Sequence, residues 1–190
     1  MNIEKLIQTV GYILSKYDGI LNYTKLIKLL YLADRKSFER SGRSITGDTY
    51  VSMKDGPVLS ELYDLIKNRH RDEFAQRRWN MEFQTQGYNL HIIRDMIPTG
   101  KLSDFDMQAL DEIDSKFHSN TYSQMIDYVH DARNCPEWEN TNTSVPLTKS
   151  KILKNIGFSK DDIESILEEE EFYVKENELL ESLAMSQGKF

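Results

Sequence analysis

NYTKLIKLLYLADRKSFERSGRSITGDTYVSMKDGPVLSELYDLI, residues Asn22 to Ile66, is the stretch whose reading decides the fold. It reads as a helix, a glycine-closed turn, a short strand and a second helix. Leu26, Leu29, Leu30 and Ala33 recur at helical spacing. Ile27 and Tyr31 widen that apolar face beyond what a half-exposed surface helix needs, which predicts a central, buried helix. Lys25, Lys28, Arg35, Lys36 and Glu39 fall on the remaining side, so the expectation is a narrow, solvated and mainly basic strip. Gly42 ends this helix, Thr46-Gly47-Asp48 has turn chemistry, and Tyr50 to Met53 has the β-branched and aromatic content of a strand. Gly56-Pro57 then predicts the start of another helix, with Pro57 at its first position because the missing N–H needs no partner there. Val58, Leu62, Leu65 and Ile66 give that helix one apolar face.

Outward from this stretch, Asn2 is placed to cap a first helix carrying Ile3, Leu6, Ile7, Val10, Leu14 and Tyr17, closed by Asp18-Gly19. The short connection from Gly19 to Tyr23 predicts that it packs antiparallel to the central helix. Asn68 to Asn80 is polar and reads as a loop with a helical turn. Trp79, Met81 and Phe83, then Tyr88, Leu90 and Ile92 beyond Gln86-Gly87, alternate with polar residues as a half-buried hairpin does. An isolated hairpin is marginal, so pairing with Tyr50 to Met53 is expected. Ser103 with Asp106, Thr121 or Asn120, and Ser159 with Asp162 mark further helix starts, while Asn140 to Pro146 reads as a mobile polar loop. The fold class expected is mainly α (α+β), a compact helical bundle with a small antiparallel sheet. Residues 1–157 form the domain, and 158–190 form an acidic amphipathic extension.

The 190 residues carry a formal charge of −7, yet ten acidic residues and only two lysines lie between Ser159 and Glu181. Removing these leaves 21 acidic and 22 basic residues elsewhere, so the acidity belongs to the C-terminal segment. The single cysteine, Cys135, excludes an intramolecular disulfide, and MNIEKLIQTVGYILSKY has no unbroken apolar run, so a cytoplasmic chain without a signal peptide or membrane span is expected.

No catalytic constellation, metal cluster or phosphate-binding loop is legible, and neither cofactor nor metal is expected. His130, Asp131 and Cys135 lie close in sequence, but a thiol nucleophile needs an orienting partner and oxyanion donors from elsewhere, and a structural cluster is the better reading. The residues expected to meet a partner are Lys28, Tyr31, Arg35, Lys54, Asp55, Glu168, Glu169, Phe172 and Tyr173. The basic strip together with Arg69 to Arg78 would be the footprint of a nucleic acid, which the overall negative charge argues against. In the tail, the run Glu168 to Glu171 beside Phe172, Tyr173, Val174 and Leu179 suits a basic protein partner, drawn in by charge and held by apolar contact.

KLIKLLYLADR (Lys25 to Arg35), GRSITGDTYVSMKDGPVLSELYDLI (Gly42 to Ile66) and, more loosely, His130 with Pro136 and Trp138 resemble the Panacea domain, the SocA-like antitoxin domain of bacteria and their phages. The resemblance covers Asn22 to Ile66 and extends loosely to about Ile156. It implies a non-enzymatic antitoxin of a toxin-antitoxin system, of the kind carried by a prophage, that neutralises a cognate protein toxin by direct binding. The alternatives it leaves are an adaptor that delivers the toxin to a protease and a nucleic-acid-binding regulator.

Overall fold

Helix α2, Tyr23–Ser41, is buried on nearly every side, as its wide apolar face predicts. Asn22 caps it, its side chain accepting from Thr24 N and Lys25 N at 3.0 and 3.2 Å. Gly42 closes it with φ of 67° and an N–H to Phe38 O. In this computed structural model, which describes residues 1–94 and 96–187, the chain runs as eight helices and six short strands. Among the described residues no helix is long and apolar enough to cross a membrane.

Before α2 come α1 (Ile3–Ser15), capped by Asn2, and β1 (Ile20–Asn22). After it come β2 (Tyr50–Met53), β3 (Gly56–Leu59), α3 (Ser60–Ile66), α4 (Glu73–Asn80), β4 (Phe83–Gln86) and β5 (Asn89–Ile92). Then follow α5 (Asp104–Phe117), α6 (Tyr122–His130), β6 (Val145–Leu147), α7 (Lys149–Asn155) and α8 (Lys160–Gln187). The reciprocal capping boxes at Ser103/Asp106 and Thr121/Gln124 start α5 and α6 as their spacing predicts.

The sheets depart from expectation. Hairpin β4–β5 pairs with β1, Leu21 opposite Leu90 with both buried, and not with β2. β2 is instead the centre of a second sheet, between β3 and β6. Pro57 therefore lies in a strand, opposite Ser52, and the helix starts three residues later. Pro146 lies in β6, opposite Val51, within the stretch expected to be a mobile loop. Both prolines sit on edge strands, where the missing N–H can face away from the ladder. Trp79 belongs to α4, one turn after Ala75 with both buried, so its apparent alternation with Phe83 was a coincidence of spacing. The closest helical neighbours of α2 are α5 and α6, whereas α1 lies against α4 and the β1–β5 edge. Three residues of β1 between α1 and α2 carry the chain away from the antiparallel helical hairpin that the short connection suggested.

Candidate partner interface

The basic side of α2 is turned inward. Lys25 is buried and donates to His118 O at 2.6 Å, with its Nζ over the Tyr17 ring. Lys28 is 1% exposed and donates to Pro57 O at 2.8 Å. Arg35 Nε lies 2.9 Å from Glu137 Oε1, which also accepts from Tyr31 OH at 2.6 Å, and Lys36 pairs with Glu39. The solvated strip is thus corrected for Lys25, Lys28 and Arg35, whose charges are received by His118 O, Pro57 O and Glu137, while Lys36 and Glu39 keep a partly solvated position and pair with each other. Arg69, Arg77 and Arg78 are likewise engaged, with Asp64, with Glu73, and with Glu4 and Glu82. A run of phosphates would have to compete with these internal partners.

The inward charges carry electrostatic consequences. Burial pushes Lys28 down to about 7, against the opposing pull of Asp55 and Cys135. Burial also raises Tyr31 well above its ordinary value, with Glu137 adding to the shift. Glu137 is itself fully buried, and its Oε2 has no hydrogen-bond partner among the described residues. Cys135 is buried, its thiol pushed up to about 12 by desolvation and by Glu137, which is the reverse of what a nucleophilic thiolate requires. His130 is stacked on Trp138, ring centroids 4.1 Å apart and planes within 6°, and Trp138 Nε1 donates to Met53 O at 3.0 Å. These residues tie the chain after α6 onto the β2–β3 turn, as the structural reading of the cluster expects. Among the described residues no group of three His, Cys, Asp or Glu side chains is arranged to hold a metal.

Lys54 and Asp55 form the exposed turn between β2 and β3. They rim a cavity of about 350 Å³ whose wall includes Lys28, Ile27, Val58, Tyr23, Tyr63, Lys67 and Tyr88. Sequence reasoning had marked Lys28, Lys54 and Asp55; it missed the three tyrosines and Lys67, which come from α2, α3 and the β4–β5 turn. Gly56 makes the closure possible. It has φ of +103°, and a Cβ there would meet Val129 Cγ2 at 2.6 Å and Lys28 Nζ at 3.2 Å.

Glu168, Glu169, Phe172 and Tyr173 lie on α8, far in sequence from that cavity. The first turns of α8 dock: Ile163 and Ile166 pack against the core, and Ile166 reaches Gly42 at the end of α2. Glu169 pairs with Arg43 at 2.6 Å, Glu170 with Lys149 at 2.7 Å, and the Arg43 guanidinium lies over the Tyr173 ring. Glu168, Glu171 and Phe172 are exposed, Phe172 by 64%. Val174 and Leu179, expected to add to this apolar set, lie outside the residues whose side chains are described.

A family model described as antitoxin SocA-like, Panacea domain, matches residues 26–139. That span runs from the body of α2 through the Glu137 and Trp138 anchors and leaves α7 and α8 outside. No curated protein and no solved structure matches the chain.

Proposed function

From the premise that the chain belongs to the SocA-like antitoxins of the Panacea domain family, we propose that it neutralises a cognate protein toxin by binding it directly, without making or breaking a covalent bond. The observation that carries this reading beyond the family is the outer side of α8, where the exposed aromatic Phe172 stands beside the exposed carboxylates of Glu168 and of Glu171, the latter paired with Lys175 one turn on. An exposed ring beside concentrated negative charge favours a basic protein surface: the charges speed encounter, and the ring supplies apolar area to bury. In this reading residues 1–157 are the scaffold and 158–190 the extension, and the two together cover a basic functional surface of the toxin.

Co-expression of the full chain with the product of the adjacent gene, followed by affinity purification, tests it. The triple variant Glu168→Lys, Glu171→Lys, Phe172→Ser should weaken the complex at least tenfold while leaving the fold intact. Equal binding by variant and parent would remove α8 from the mechanism. Relief of toxicity without any complex, and only in cells that hold a particular protease, would favour delivery to proteolysis over occlusion.

A further inference from the structure

Lys28 is an unusual residue to find in the wall of a cavity. Its side chain is buried, its ammonium carries three donors, and the acceptor it meets among the described residues is Pro57 O at 2.8 Å. A methionine would fill the same volume without the desolvation penalty of a charge. The cavity it lines, about 350 Å³, is amphipathic in a particular way. Ile27, Val58 and Met53 supply apolar wall, Tyr23, Tyr63 and Tyr88 supply ring faces, and the ammonium groups of Lys54 and Lys67, joined by that of Lys28 when it holds its proton, outnumber the single carboxylate, Asp55. Lys67 is held in place, its Nζ donating to Tyr23 OH at 2.5 Å and lying 4.2 Å from the centre of that ring. The Tyr23 and Tyr88 rings stand 5.9 Å apart, and Tyr23 N donates to Tyr88 O, which ties the hairpin turn to the start of α2.

We propose that this cavity is a binding site for an organic anion in which one carboxylate is carried on a compact apolar body, the carboxylate received by Lys28 and Lys67 and the body by the tyrosine rings. Its volume limits the occupant to a small molecule or to one terminal residue of a polypeptide. Asp55 at the rim acts as the resident competitor for the same cations. The site is separate from the α8 surface, and it stands whether or not α8 meets a toxin.

Ligand-observed NMR and calorimetry on the full chain with defined probes test it. Phenylacetate should bind at least tenfold more tightly than its neutral isostere phenylacetamide and than phenethylamine. Lys28→Met should abolish that preference, Lys67→Gln should weaken phenylacetate several-fold, and Asp55→Asn should strengthen it. A short peptide ending in phenylalanine with a free carboxylate, set against its C-terminal amide, separates the two sources. Tighter binding of the acid peptide than of phenylacetate assigns a polypeptide end, and the reverse assigns a free small molecule. Circular dichroism guards against misfolding of Lys28→Met, and if that variant fails to fold the amide comparison and Lys67→Gln still decide. No binding of either acid, equal binding of phenylacetamide, or indifference to both lysine substitutions overturns the proposal.

Discussion

Lys28 concentrates what a single residue does in this molecule. Placed in the core of an α-helical surface by period alone, it looks polar and therefore solvated; folded, it closes the β3 edge through Pro57 O. With the folded group near 7 and the ordinary lysine value at 10.5, the unfolded chain holds a proton between those pH values that the native state does not. Unfolding then takes up a proton, so Lys28 makes stability rise as pH increases from about 7, and lowering the pH through 7 removes that gain. Above about 9 the sign reverses, because burial raises the Cys135 thiol to about 12 and lifts Tyr31 and Tyr50, groups that ionise more readily once unfolded. His130, whose own value burial and Lys28 depress, contributes at lower pH, below its ordinary 6.5. Asp48, pushed up to about 7 by burial, opposes this rise at its lower end, so urea midpoints measured from pH 8 to 9 should rise in the parent and not in Lys28→Met; a parallel rise in both would assign the effect to another group. The sequence placed Lys28 on the right helix but on its solvated side; neither its burial nor its partner was legible, because Pro57 O is an acceptor 29 residues away that no local pattern marks.

At the scale of elements, legibility followed locality. Helix starts marked by a reciprocal box were readable, as at Ser103 and Thr121, since such a cap is satisfied by its own first turn. The Asp72 cap of α4 went unread inside a stretch taken for a loop, and α3 starts at Ser60 rather than Pro57. Ser103 illustrates the reciprocal box: its Oγ accepts from Asp106 N at 3.1 Å while Asp106 returns the bond to Ser103 N at 3.0 Å. Ser103→Ala should lower stability by about 1 kcal/mol, read as a reduced urea midpoint with an unchanged slope. A change below the error of the measurement would mean that α5 is held by packing on α2 alone. Strand partners were less readable. β1 and β6 are three residues each, too short for alternation to register, and each pairs with a strand more than 65 residues away in sequence. The period of two flagged β5 and the hairpin but set its first strand too early, over Trp79 to Gln84, where only Phe83 and Gln84 belong to β4, and which edge the hairpin would join depended on where the start of α2 lies in space. The candidate site divides the same way: the β2–β3 turn was visible as Lys54-Asp55, whereas Tyr23, Tyr63 and Tyr88 converge only once three elements are assembled.

Across the whole molecule, charge is separated in sequence but partly reconciled in space. The acidic extension docks on the domain through Ile163 and Ile166, then through Glu169 with Arg43 and Glu170 with Lys149. Apolar contact and ion pairing do not contribute equally here. The paired carboxylates of α8 are about half exposed, and exposed pairs typically contribute ~0–1 kcal/mol each, whereas Ile166 lies within van der Waals reach of the Gly42 position that ends the central helix. Docking of α8 should therefore survive loss of the ion pairs and fail on loss of the isoleucine. Hydrogen exchange across residues 160–173 measures this: Arg43→Gln with Lys149→Gln should accelerate exchange only modestly and more so at low salt in the parent comparison, while Ile166→Asp should bring the whole stretch close to the exchange of an undocked helix. If the double substitution instead released α8 as fully as Ile166→Asp, charge would be the latch, and a basic toxin could open it simply by offering better partners to Glu169 and Glu170. If only Ile166→Asp releases it, α8 presents a fixed outer face, and Glu168, Glu171 and Phe172 meet their partner without the helix leaving the domain.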